Sequence, residues 1–295
     1  MQTNKNIYFF RYKQIPGQKA FFKQINTYKI PIALNRKANL LILRPYKFKN
    51  HILKKHIPNF ITTLNLFSGC TGIIIALTYR IDYAAYFIAL AALFDFFDGL
   101  AARLLHVKSE IGKELDSLAD VVSFGVLPGI ILYQLMTASP NTPVAGSYIS
   151  IFALIALVIP VLSAVRLAKF NLDTRQTTSF IGLPVPANAL FLGAFPLIKM
   201  QAGFSDSLSW LTIFTDNYYI LALIAIGMSL LLVSEIPLFS LKFRNLKFAD
   251  NKPQYILVLF AIISFSIITF AAIPLIILAY ILLSMLYKPA TESKH

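Results

Sequence analysis

The sequence predicts an all-α fold, a polytopic membrane helical bundle of about eight transmembrane helices with a basic N-terminal extension. Three observations predict it. Of the 295 residues, 57% are hydrophobic and only 14% charged, with a mean hydropathy of +0.67, which excludes an ordinary soluble globule. Apolar runs of roughly 16–22 residues recur along the chain, each long enough to cross a hydrocarbon core about 30 Å thick. The cations between those runs fall almost entirely on one side of the membrane that the runs imply.

The first segment, 1–54, is basic and aromatic. Thirteen of the 27 Lys and Arg lie in residues 1–57 without one Asp or Glu, so the remaining 14 face all 13 acidic residues. Such a block beside a membrane domain points to anionic lipid headgroups and not to nucleic acid. Pro16, Pro31 and Pro45 interrupt it, and it shows no sustained periodicity. An interfacial arm and a disordered extension both fit. Residues 1–40 hold no apolar core followed by a small-residue cleavage site, so the first membrane helix is expected to direct insertion.

Spans are then expected at 58–78, 83–105, 115–136, 148–170, 186–201, 217–234, 254–270 and 273–287, ahead of a tail, 288–295. The last two come from one apolar stretch too long for a single straight span, with a tight turn expected at Ala271–Pro274. With the N-terminus cytoplasmic, the inner segments after residue 57 carry Arg103, Lys108, Lys113, Arg166, Lys169, Arg175, Lys242, Arg244, Lys247, Lys252, Lys288 and Lys294. The outer loops carry only Arg80 and Lys199, a clear positive-inside asymmetry. Both termini and the turn after the second span are then cytoplasmic. Trp210, Tyr218 and Tyr219 read as outer interfacial anchors. His51, His56 and His106 lack metal-ligand spacing. Cys70, the lone cysteine, excludes an intrachain disulfide and reads as a small packed hydrophobe.

Inside this apolar chain lies the string Asp95-x2-Asp98-Gly99-x2-Ala102-Arg103-x8-Gly112-x3-Asp116-x3-Asp120. Charge at bilayer depth is costly, so four carboxylates there are a functional hypothesis by default. On helices, Asp95 and Asp98 share one face, as do Asp116 and Asp120. The 17 residues between Asp98 and Asp116 suffice to turn and return antiparallel. The converging oxygens suit a hard divalent cation, Mg2+ or Mn2+, and two ions bridged by carboxylates are a common solution to displacement at phosphorus. Asp95, Asp98 and Asp116 are suited to ligation. Asp120, one turn deeper, is placed either to complete the metal set or to take a proton from an incoming hydroxyl. Gly99 and Gly112 remove side chains where a ligand or backbone must come close. Arg103 can fork onto phosphate oxygens or pair with a carboxylate. Structural ion pairs fail as an explanation, because nearby cations are too few to neutralise four aspartates.

At every fixed position this string resembles the signature of the CDP-alcohol phosphotransferases. The resemblance covers roughly residues 54–287 and implies a membrane-embedded helical core at 55–201, followed by C-terminal transmembrane helices at 202–287. It implies transfer of a phosphatidyl or similar group from a CDP-linked donor to an alcohol, with release of CMP. By position, Asp95, Asp98 and Asp116 resemble the family's metal ligands and Asp120 its catalytic base. Gly99, Ala102, Arg103 and Gly112 fall where the family contacts the CDP moiety. The resemblance also implies a homodimer.

Residues Pro58 to Gly69 resemble the opening helix of the bacterial and archaeal phosphatidylserine synthases. There Asn59, Thr62 and Asn65 form a polar stripe that either lines the nucleotide pocket or bonds helix to helix. The runs Arg166-Leu-Ala-Lys169-Phe-Asn171 and Gly182-Leu-Pro-Val-Pro-Ala187 are similar to the same group. Arg166 and Lys169, on one face, are expected either to hold the lipid phosphate or serine carboxylate or simply to anchor the helix end; the Gly-Leu-Pro run bends the chain at a helix entrance. Glu235 departs from the pattern, which has Arg there. The expected substrates are CDP-diacylglycerol and L-serine, in a bacterial cytoplasmic membrane. The string itself is silent on the acceptor, so glycerol 3-phosphate or inositol stays open. A cation- or proton-coupled transporter would instead disperse its carboxylates over several helices.

Overall fold

The computed structural model describes residues 8–11, 32–35, 40–43, 48–78, 80–107, 109–143, 150–172, 180–239, 241, 245 and 247–287. Lys108, Arg175, Lys242, Arg244, Lys288 and Lys294, and with the last two the tail, lie outside them. The chain divides into two compact units, Met1–His56 and Ile57–His295.

In the first unit the described backbone forms three short strands, β1 (Tyr8–Arg11), β2 (Ile32–Asn35) and β3 (Leu40–Leu43). They pair antiparallel in the order β1-β3-β2, with Tyr8 and Ile32 both opposite Leu43. The sequence reading expected no regular structure there. Four-residue strands of aromatic and aliphatic residues need no sustained periodicity, and that is why none was visible.

The second unit is a bundle of helices, with the first beginning upstream: α1 (Phe48–Leu77), α2 (Ile81–Leu104), α3 (Glu110–Thr137), α4 (Phe152–Leu172), α5 (Val185–Phe204), α6 (Asp206–Thr215), α7 (Tyr218–Val233), α8 (Lys252–Ile268) and α9 (Ala272–Leu286). A helix stands at each of the eight expected places, and α6 is an addition between the fifth and sixth. Among the described residues, five stretches are long and apolar enough to span alone, or six if the α6–α7 pair, bent by 65°, makes one span. The stretch Lys252–Leu286 counts once in that tally, but its 35 residues are broken by a 3-10 turn at Thr269–Ala271, where Thr269 takes φ +42°. The helices α8 and α9 pack against each other there, so the turn comes slightly earlier than expected.

α5 is the central helix. It packs on α2, α3 and α9 and is buried along most of its length, from Val185 to Ile198. Around it, large apolar side chains face outward, among them Phe67, Ile74, Phe96, Leu223 and Ile267. Such a surface belongs in hydrocarbon, and the chain is a membrane-integral protein. Cys70 is on that exposed surface, not packed in the interior. Trp210 and Tyr219 are exposed, whereas Tyr218 is buried and donates to the Phe152 carbonyl.

The end of α3 that carries the carboxylates begins with a capped turn, Ser109 Oγ accepting from Gly112 N at 3.1 Å. Immediately after Asp120 the helix widens into a π segment, Val121–Val126. Pro128 explains it: the proline ring crowds the carbonyl four residues back and withholds a donor, so the ladder opens.

Two extended pieces close that same end of the bundle. β4 (Phe180–Ile181) and β5 (Pro237–Leu238) pair antiparallel, joining the segment after α4 to the segment after α7. Gly182, at φ +75°, donates its N–H to the Ile236 carbonyl at 2.9 Å, and Leu183 donates to Leu231 O at 3.0 Å. Pro184 then caps α5, so the Gly-Leu-Pro run makes the bend at a helix entrance expected of it. Glu235 is exposed in this connection.

Candidate active site

Asp95 and Asp98 come from the second half of α2 and Asp116 and Asp120 from the first part of α3, the two helices joined by a short turn containing His106 at φ +52°. One oxygen each from Asp95, Asp98 and Asp116 lies within 4.8 Å of the others. Three like charges so close repel strongly in a low-dielectric setting. A hard divalent cation at their centre is the counter-charge that fits. Asp116 Oδ1 is buried with no hydrogen-bond partner, a position that a bound cation would satisfy. The donor set is all oxygen, as Mg2+ or Mn2+ requires.

Asp120 is outside this group of three and is buried. Its Oδ1 accepts from Asn65 Nδ2 at 3.2 Å. Asn65 is held in turn by Ser123, whose Oγ donates to the Asn65 carbonyl at 3.0 Å. Thr62, one turn earlier on α1, places its Oγ1 2.7 Å from Asp98 Oδ2 and 3.1 Å from the Pro58 carbonyl. Two members of the stripe Asn59-Thr62-Asn65 therefore serve the carboxylates directly. Thr62 orients Asp98, Asn65 orients Asp120, and the Asn59 amide sits over Gly112, where an added β-carbon would lie 2.7 Å from its Oδ1.

The remaining expected residues divide between open and buried positions. A β-carbon built on Gly99 would meet nothing within 4 Å, so this face of α2 is free to receive a ligand. Ala102 is half-buried and Arg103 exposed, both on the same end of α2. Lys169 is exposed, but Arg166 is only 6% exposed, which is not the position of a simple anchor. Its guanidinium lies 5.4 Å from the Phe170 ring centroid, and its Nε is 3.5 Å from the point a Gly182 β-carbon would occupy.

Two features were not read from the sequence as parts of a site. Asn171 donates through Nδ2 to Ser117 Oγ at 2.8 Å, and its carbonyl accepts from Lys113 Nζ at 3.1 Å, fixing the end of α4 beside Asp116. Ser163 and Asn188 are wholly buried polar residues on α4 and α5. Asn171 fell in a quoted run, but no local signal marks a contact across more than 50 residues.

Residues 55–234, more than half of the chain, match the family model of the CDP-alcohol phosphatidyltransferases. The chain belongs to that family. As a CDP-alcohol phosphatidyltransferase it is a transferase built into a membrane bundle, and its acidic cluster is where the family's divalent metal would be held. Among its relatives is the CDP-diacylglycerol–serine O-phosphatidyltransferase of Mycobacterium leprae, 32% identical over 213 residues. That alignment covers 70% of this chain and 64% of the relative, so the chain spans less than two thirds of that protein. The enzyme of the same name from Bacillus subtilis is 36% identical over 181 residues, covering 61% of this chain and 88% of the relative. The archaetidylserine synthase of Methanothermobacter thermautotrophicus is 33% identical over 185 residues, covering 61% and 68%.

Proposed function

We propose that this phosphatidyltransferase makes phosphatidylserine, moving the phosphatidyl group of CDP-diacylglycerol to L-serine with release of CMP. The reaction class rests on one observation above all, the convergence of Asp95, Asp98 and Asp116 within 4.8 Å, with Asp120 on the same helix one turn deeper. The acceptor rests on the relatives: the archaeal protein is named for a different lipid from the mycobacterial and bacillar ones, but all three carry serine in the name.

In this reading the serine hydroxyl attacks the phosphorus bearing diacylglycerol. A new P–O bond forms, the P–O bond to CMP breaks, and the hydroxyl proton passes to Asp120. Asn65 aims the receiving carboxylate, and burial shields it from bulk water. Asp95, Asp98 and Asp116 would hold Mg2+ or Mn2+, two ions per site, which would neutralise the pyrophosphate charge when bound. Gly99, Ala102, Arg103 and Gly112, with Asn59 and Thr62 opposite, border the CDP moiety. Arg166 and Lys169 face the lipid phosphate or the serine carboxylate. Most of the rate enhancement then comes from positioning and charge complementarity.

The positive-inside asymmetry supports a site and both termini on the cytoplasmic side of a bacterial inner membrane. The donor's acyl chains stay in the bilayer while serine arrives from the cytosol. The resemblance supports a homodimer, which mass measurement in nanodiscs tests. The activity is tested by giving the purified protein CDP-diacylglycerol with serine, glycerol 3-phosphate or inositol and following CMP. Release is expected with serine. Release with another alcohol alone would overturn the acceptor, and none with any of them the reaction.

A further inference from the structure

Asp120, the carboxylate proposed to take the acceptor's proton, is the last residue of α3 before the helix widens. In the widened stretch the Leu127 N–H bonds to the Val122 carbonyl, five residues back instead of four. The side chains beyond it are rotated relative to an unbroken α-helix. Such segments are rare and frequently lie at functional sites.

Two hydrogen bonds to α1 bracket the change. Before it, Asp120 Oδ1 accepts from Asn65 Nδ2 at 3.2 Å; within it, Ser123 Oγ donates to the Asn65 carbonyl at 3.0 Å. One residue of α1 is thus held by its backbone and aims its side chain. Asn65 and Ser123 are 0% exposed and Asp120 is buried, so bulk water does not compete for either bond. The bond from Ser123 depends on a missing side chain. A helical residue covers the turn before its own Cα, so a side chain at position 69 would lie across the Asn65 carbonyl. A β-carbon on Gly69 would collide with Ser123 Oγ and lie 2.8 Å from Ser123 Cα. Gly69, the last residue of the run singled out in α1, keeps that carbonyl open. From the other side α4 presses on the π segment, where a β-carbon on Gly125 would lie 3.1 Å from Ser163 Cβ. Close packing on both sides leaves Ser123 little room to turn away.

We infer that Ser123 and Gly69 are positioning residues for the transfer. The π segment delivers the Ser123 hydroxyl to the Asn65 carbonyl across a gap that Gly69 leaves open, and Asn65, so fixed, aims the carboxylate of Asp120 at the acceptor hydroxyl. This rests on the reading of Asp120 as proton acceptor and says what sets its aim. Neither residue meets a substrate; both act through Asn65. Because Thr62 on the same helix holds Asp98, α1 is a common rail for the proton acceptor and for one of the proposed metal ligands.

The test compares full-length variants in nanodiscs, with rates taken per mole of folded protein. In Ser123→Ala, kcat for CMP release is expected to fall about tenfold to 100-fold, the scale of a misplacement of about 1 Å. The KM for CDP-diacylglycerol, the KM for serine and the Mg2+ concentration giving half-maximal rate are expected to stay within about twofold, since the Thr62–Asp98 contact is untouched. Ser68→Ala is the control. Ser68 is buried and donates to the Phe87 carbonyl at 3.1 Å, tying α1 to α2 at a point about 12 Å along α2 from Asp95. A tie that served stability alone would make the two variants alike; Ser68→Ala should instead keep kcat within about twofold. Gly69→Ala should lower kcat as far as Ser123→Ala does, and the double variant no further, as two changes on one route do. If Gly69→Ala does not accumulate folded, Ser123→Ala and Ser68→Ala decide alone. An unchanged kcat in folded Ser123→Ala overturns the inference, and so does an equal fall in Ser68→Ala or a KM that rises in step. Asp120→Asn separates the two layers: full turnover there defeats the reading of Asp120, whereas loss there with none in Ser123→Ala defeats the positioning.

Discussion

Replacing Gly99 with alanine separates what the fold needs at that position from what the nucleotide needs. A β-carbon at Gly99 meets no heavy atom within 4 Å, so the protein has room for it. Alanine in a helix interior is favoured over glycine by roughly 0.5–1 kcal/mol. Melting temperature should therefore hold or rise slightly. The volume taken is on α2, one residue beyond Asp98, where the CDP moiety is proposed to lie. A methyl pushed into a filled contact costs about 1–3 kcal/mol. That corresponds to donor binding weaker by about fivefold to 150-fold. The assay is the initial rate of CMP release in mixed micelles, with CDP-diacylglycerol varied at saturating serine. Donor KM should rise by at least about fivefold while serine KM and melting temperature hold. A donor KM unchanged in well-folded Gly99→Ala would refute the placement of the nucleotide. Gly112 is the useful contrast: a β-carbon there lies 2.7 Å from Asn59 Oδ1, so Gly112→Ala must displace a side chain already present.

Three further outcomes are expected. Asp120→Asn keeps the shape of the site but removes the proton acceptor, so CMP release should fall by about 100-fold to 10,000-fold with CDP-diacylglycerol binding retained; equal loss of binding would reassign Asp120 to the metal. Chelation should abolish turnover and Mg2+ or Mn2+ restore it, and Thr62→Val, which removes the donor to Asp98, should raise the metal concentration needed by about tenfold to 100-fold. Gly182→Ala sets a side chain at φ +75° and puts its β-carbon 2.7 Å from the carbonyl oxygens of Leu232 and Ser234, so a loss of at least about 1–2 kcal/mol should show as a lowered melting temperature; an unchanged one would show that the β4–β5 pairing contributes nothing.

The helices were legible because each needs about 20 apolar residues, and the carboxylates because charge in such runs is conspicuous. The carboxylates were legible as two pairs, Asp95 with Asp98 and Asp116 with Asp120, because helical spacing puts each pair on one face, and the 17 residues between Asp98 and Asp116 let the two faces meet. The π segment was not, since one extra residue per turn leaves no trace in hydropathy; only Pro128, read with the structure, explains it. Thr62 and Asn65 showed as a stripe, but a stripe does not say which partners it meets. Asn188 and Ser163 read as ordinary helix residues, because burial without a partner is a property of the packed molecule. The strands β4 and β5 were hidden for a related reason. Two residues each are too short for any periodicity, and their pairing joins segments more than 50 residues apart.

That pairing also bears on how much of the chain the catalytic end needs. The family match stops at residue 234, yet Gly182 is held by the Ile236 carbonyl and its neighbour Ile181 by β5, which begins at Pro237. The backbone just beyond it is gripped by α9: Tyr280 Oη donates to the Phe239 carbonyl at 2.9 Å, and Phe239 N donates to Ser284 Oγ at 3.4 Å. The terminal hairpin thus works as a brace. It carries none of the proposed chemistry, but it steadies the loop against which Arg166 rests. A version trimmed to the matched region would keep Asp95, Asp98, Asp116 and Asp120 and lose the member that squares the frame around them.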